Sequence, residues 1–128
     1  MNREQKAVRA LFKKLKRARL RPFPNHGEPV DAPDRQGVYV IHSPRRKNVR
    51  TVVHVGRTYR GTAGLRQRLK NHLHGASSFT NEFLKGHGRK LRSGYAFRCL
   101  AVRSARRRAL LEFFAAGSLC PSHVGLSE

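Results

Sequence analysis

Among the 128 residues, 28 lysines and arginines face seven carboxylates, and only Glu82, Glu112 and Glu128 of the acids lie beyond residue 36. A hard cation held by that second stretch therefore has almost no oxygen ligands to choose from. Glu112, within Leu110-Leu111-Glu112-Phe113-Phe114, is one of those three. A single carboxylate suits Mg²⁺ or Mn²⁺, ions that complete their shells with water and phosphate oxygens. Arg68, between Leu65 and Leu69, carries a permanently charged planar fork that matches phosphate geometry. His54 and Tyr39 lie in β-rich runs, and each carries a group that can exchange a proton. Imidazole titrates near about 6.5 and phenol near about 10, which makes His54 the better base at neutral pH. Phosphodiester hydrolysis needs these three services: an activated water, charge stabilisation at phosphate, and help for the leaving oxygen. Each residue also has a plainer reading. Tyr39 and His54 could be strand residues facing solvent, Arg68 one more solvated cation, and Glu112 the partner of Arg108 one helical turn earlier. Cys99 and Cys120 form no CxxC pair, and a zinc set of His72, His74, Cys120 and His123 fits no common spacing.

The formal net charge is +21, with 10 basic residues before position 37 and 18 after it. Such an excess opposes compaction unless a polyanion shares it, so nucleic acid is the expected partner. DNA is favoured, RNA is the alternative, and no membrane partner is expected. No apolar run approaches the roughly 18 residues of a membrane span. The opening MNREQKAVRALFKKLKRARL lacks the apolar core and small-residue cleavage site of a secretory signal, which predicts a soluble, cytoplasmic protein.

The elements that must position these residues are legible in part. Asn2 with Gln5 reads as a capping box, and Val8, Leu11, Phe12 and Leu15 recur at helical spacing, which predicts a basic amphipathic helix over roughly 3–20. Its basic face could touch phosphate or a membrane surface, or the helix could simply pack on the domain. The Pro-rich stretch to residue 36 reads as a linker or an extended wrap. GVYVIHS and VRTVVHVG predict a hairpin, LRQRLKNHL and SSFTNEFLKG two short helices, and SGYAFRCLAV a third strand. A last helix, ARRRALLEFFAAG, is capped by Ser104 and predicted to bury Leu110, Phe113 and Phe114. The expected architecture is α/β of the α+β type. A small, mainly antiparallel three-stranded sheet is flanked by helices in the order β-β-α-α-β-α, after an extra N-terminal basic helix. Residues 1–36 would form the basic helix and linker, and 37–128 the main domain.

Gly37-Val38-Tyr39, then after a gap of fourteen residues His54-Val55-Gly56, resembles the paired tripeptides of the GIY-YIG nuclease superfamily. The resemblance continues through Leu65-Arg66-Gln67-Arg68-Leu69, where Arg68 falls in the family's arginine position, and ends at Glu112, in the place of its metal-binding glutamate. It covers residues 37 to about 125. What it implies is a divalent-metal-dependent endonuclease that hydrolyses phosphodiester bonds in DNA by a single-metal mechanism. Tyr39, His54, Arg68 and Glu112 would be catalytic, and Glu112 would hold Mg²⁺ or Mn²⁺. A non-catalytic nucleic-acid-binding module of the same fold is the alternative. Two departures stand out: His54 replaces the usual tyrosine, and the loop after Gly56 is about four residues longer than usual. That loop offers Arg57, Tyr59 and Arg60 to substrate, and Arg66, Lys70, His72, His74, Lys85, Arg89 and Lys90 are further candidates for nucleic-acid binding. His72 or His74 lies where some members carry another catalytic histidine, and His123 falls near the place of an asparagine that many carry.

Overall fold

The computed structural model describes residues 1–126. Its elements are α1 (Arg3–Arg17), β1 (Arg21–Pro22), β2 (Gly37–His42), β3 (Val52–Arg57), α2 (Leu65–Leu73), α3 (Ser78–Phe83), a 3₁₀ turn (Gly88–Arg92), β4 (Ala96–Ala101) and α4 (Ala105–Leu119). The fold is α+β. Four antiparallel strands make one open sheet in the order β1-β4-β2-β3, so the expected three strands are joined by a fourth. That addition is short. Arg21 pairs with Phe97 and Pro22 with Ala96, and a proline is tolerated because β1 is an edge strand.

Alternation along the strands divides the interior between the two faces of the sheet. Tyr39, Ile41, Phe97 and Cys99 point to one face, under Leu65, Leu69 and Leu73 of α2 and Phe79 of α3. Val38, Val40 and Val55 point to the other, under Phe12 and Leu15 of α1 and Leu111 and Ala115 of α4. The α1 helix begins at the expected capping box, with Asn2 and Gln5 bonding reciprocally at 2.8 Å. Of the readings open for this helix, packing is the one observed: its apolar face is spent against α4 and the sheet, and Phe12 meets Phe114 edge-on at 5.1 Å. Likewise the Pro-rich stretch is a wrap. Phe23, Val30 and Ala32 enter the first core, and the carbonyls of Pro33 and Arg35 receive the first amides of α2. No helix among the described residues is long and apolar enough to cross a membrane.

Helix α4 departs from expectation. Its buried stripe is Arg108, Leu111 and Ala115, whereas Phe113 is 62% exposed and Leu110 and Phe114 are half-buried. Burying Arg108 rotates the helix: its guanidinium donates to the carbonyls of Thr58, Val102 and Arg103 and so ties the loops that end β3 and β4. Arg108 is thus not the partner of Glu112.

The pairing of β2 with β3 slips between Ile41 and His42, leaving Val53 as an extra residue beside His54. As is usual for a bulge, two neighbours then share one face, and His54 points to the same side as Tyr39, the residue two places before Ile41, its strand partner. Opposite Tyr39 stands Gly56, where an added Cβ would lie 2.3 Å from the tyrosine hydroxyl oxygen. The phenol occupies the room a side chain would need. Gly56→Ala is therefore expected to cost about 1–3 kcal/mol of overpacking strain, read as a lowered urea midpoint with an unchanged slope.

Candidate active site

Four elements send polar side chains to one end of edge strand β3. The centre is the hydroxyl of Tyr39, wholly buried, 2.7 Å from Nε2 of His72 and 3.2 Å from Nε of Arg68. Both partners come from α2, where a spacing of four residues puts Arg68 and His72 on one helix face. Nδ1 of His72 meets Ser77 Oγ at 2.7 Å, and Ser77 caps α3 by accepting the amide of Thr80. The protons along this chain can be placed in one order. A carbonyl only accepts, so Thr80 Oγ1 donates to the carbonyl of His72 at 2.6 Å. Ser77 then donates to Thr80 Oγ1, and Nδ1–H of His72 donates to Ser77. In a neutral imidazole Nε2 is then bare and accepts the phenolic proton of Tyr39.

Burial governs the ionisation here. It pushes the Tyr39 phenol up to about 12, although the Arg68 charge and hydrogen bond pull the other way. It also drives His72 well below its usual range, with His54, Arg68 and His123 adding to the effect. His54 is pushed down to about 3 by burial first, then by His123 and Arg68. Its ring stacks on Phe79 at 4.7 Å and stands 5.4 Å from the His72 ring.

Glu112 lies beyond the end of β3, ion-paired through Oε1 to Arg57 at 2.5 Å with both side chains mostly buried. Burial raises its carboxyl, outweighing the Arg57 and Arg68 charges that lower it. Tyr59 bridges the two arginines: Arg57 lies 5.0 Å and Arg68 5.9 Å from its half-exposed ring. The cluster thus runs from His72 through Tyr39, Arg68, Tyr59 and Arg57 to Glu112.

Other candidates from the sequence sit apart. Arg60 and Lys70 are exposed, and Arg66 is committed to Asp34 at 2.8 Å and to the carbonyl of Ala32, where it fastens the wrap. His74 and Arg89 line a separate cleft near the 3₁₀ turn, with Lys85 and Lys90 exposed on either side of it. Of the two histidines singled out on α2, His72 joins the cluster and His74 does not. Ser77, Thr80 and Glu82 were not anticipated as site residues. Among the described residues no group of three or more His, Cys, Asp or Glu side chains could hold a metal, so the zinc set is not assembled. Comparison with known protein families, curated proteins and solved structures returns no match.

Three histidines, His54 and His72 buried and His42 half-buried, set the acid stability. His42, pushed down to about 4 mainly by burial, joins His54 and His72. The unfolded chain protonates each near about pH 6.5, while the folded protein resists until much lower pH, so their stabilisation is complete above that value and drains away as pH falls. For His54 alone the loss by pH 5 is about 2 kcal/mol. Thermal melting should fall between pH 7.5 and pH 5, and more shallowly in His54→Phe.

Proposed function

We propose that the protein is a divalent-metal-dependent endonuclease that hydrolyses phosphodiester bonds in DNA by a GIY-YIG-type mechanism. The reading is carried by the meeting of Tyr39, His54, Arg68 and Glu112, drawn from β2, β3, α2 and α4, around one end of an edge strand. A cation, a carboxylate and two proton-transfer groups are what an in-line attack on phosphorus requires.

Arg68 is the group to hold the scissile phosphate. Its charge bears on Tyr39, His54, His72 and Glu112 alike, so it lies centrally among them. Tyr39 or His54 orients the attacking water and takes its proton. Glu112 would hold the Mg²⁺ or Mn²⁺. One carboxylate fits an ion that keeps most of its waters, and it fits no cation that demands a protein cage. When bound, the ion would supply charge stabilisation at the phosphate and the leaving 3′ oxygen. Arg57 and the cation compete for the same carboxylate, and the phosphate backbone offers Arg57 another partner. Exposed Arg60 and Lys70 add to the basic surface elsewhere, and Tyr59 offers a face for a base.

The Arg57–Glu112 ion pair also supports a second reading, a nucleic-acid-binding module in which the carboxylate serves only to fix an arginine. End-labelled single-stranded, duplex and branched DNA, with matched RNA, separates the two. Cutting in Mg²⁺ or Mn²⁺ but not EDTA is expected, falling about 100-fold or more in Glu112→Ala and Arg68→Ala while Glu112→Ala still binds. Tight binding without cutting under either metal would establish the binding module instead.

Arg57→Gln provides a separate check on the carboxylate. Removing the competing cation should lower the Mg²⁺ concentration for half-maximal cutting several-fold while weakening DNA binding. An unchanged Mg²⁺ requirement would place the ion elsewhere.

A further inference from the structure

Beside the Tyr39–His72 chain runs a second one. After α4 the backbone turns along the outer edge of β3, where Ser122 and His123 donate their amides to the carbonyls of Val52 and Val53. This backs the His123 ring against His54, with the two Nδ1 atoms 3.1 Å apart. Nε2 of His123 lies 2.6 Å from Oε1 of Glu82, on α3, whose carboxylate is 55% exposed while the His123 side chain is 8% exposed.

The carboxylate fixes the protons. Glu82 accepts from Nε2–H of His123, which leaves Nδ1 of a neutral His123 as an acceptor. Nδ1 of His54 must then carry the hydrogen, and the lone pair of His54 is at Nε2. That atom has no hydrogen-bond partner among the described residues, and it is not one of the sealed, unpartnered nitrogens such as Nε2 of His42. It therefore reaches solvent.

We propose that Glu82 and His123 are positioning residues that hold His54 with Nε2 bare and, when His54 takes a proton there, receive the charge through a two-histidine relay. The proton enters at Nε2 of His54. The Nδ1 proton of His54 passes to Nδ1 of His123, and the imidazolium so formed rests against the Glu82 carboxylate. One proton is gained in all, and His54 ends neutral. The groups facing His54 explain why the charge must leave it. Tyr39 from β2 and Arg68 and His72 from α2 supply no anion, the α3 residue stacked on its ring is Phe79, and Glu82 of that helix bonds to His123 and not to His54. His123 alone connects it to a carboxylate.

The identity of the water rests on the phosphodiesterase reading, but the tautomer does not. Imidazole ¹⁵N spectra of the full chain should show His54 protonated at Nδ1 and bare at Nε2, the form free histidine disfavours. In Glu82→Gln the two tautomers should mix. In cleavage assays Glu82→Gln should lower kcat about 10-fold or more with little change in KM, and move the acidic limb of the rate profile to lower pH, because the imidazolium loses its anion. His123→Phe should reproduce the kcat loss while keeping the ring's packing. A wild-type His54 protonated at Nε2 would overturn the relay, as would an unchanged pH profile in a cleaving Glu82→Gln protein. A bare Nε2 in a protein that cuts neither DNA nor RNA would uphold the relay and sink the nuclease reading.

Discussion

The hydrogen bond from Tyr39 to His72 is the constraint on which the site's geometry rests. It joins the middle of the sheet to α2 inside the core, where an unpaired phenol or imidazole would cost about 1–3 kcal/mol or more. Its neighbours follow from it. Gly56 must lack a side chain so that the phenol can lie across β3. Ser77 must cap α3 so that His72 has a fixed tautomer, and Thr80 must turn its hydroxyl back to the carbonyl of His72 so that its oxygen takes the Ser77 proton and leaves Ser77 to accept from Nδ1–H of His72. Arg68, one turn before His72, completes the phenol's bonding and is thereby held at the end of the sheet.

The shortage of acids shapes the rest. Glu4 meets Arg106 across the α1–α4 contact, Asp31 meets Arg19 and Arg21, and Asp34 meets Arg66. These exposed pairs contribute little individually, but each sits where the N-terminal segment joins the main body. Glu82 and Glu112 are placed differently, each against a cationic or imidazole partner beside the site. Glu4, Asp31 and Asp34 thus fasten the fold, while Glu82 and Glu112 lie where proton and metal chemistry would use them. The surplus of lysine and arginine is left facing solvent.

Much of this was legible in the residues. Capping boxes, strand alternation and the α2 leucines act over a few positions, and the helices and central strands appear where those signals lie. The fourth strand is two residues long and contains a proline, so nothing local announces it. It exists because Phe23 seeks the core and draws its neighbours against β4. The stripe of α4 departs from its apolar pattern because the carbonyls of Thr58, Val102 and Arg103 take Arg108 inward, which turns Phe113 out. At the site, Tyr39, His54, Arg68 and Glu112 could be picked out by residue type and order. Glu82 could not. Its role depends on a tail 41 residues away folding back along β3, a separation that no periodicity encodes.

Two proton acceptors lie side by side in this site, and they differ in where a positive charge would rest. Protonation through Tyr39 would leave it on His72, wholly buried, with Arg68 in reach and only the hydroxyl of Ser77 behind it. Protonation through His54 can move it one ring outward, to a His123 imidazolium paired with a half-exposed carboxylate. Burying an unpaired charge is far more costly than pairing one near solvent. The two chains are thus suited to different tasks. The Tyr39–His72 chain, wholly buried with both groups held neutral, is suited to holding position rather than to taking up charge. His54, with a route that carries charge out of the core, is the one able to accept it. A tyrosine at position 54 would have no second ring atom through which to pass a proton on, so histidine there and histidine at 123 make sense together.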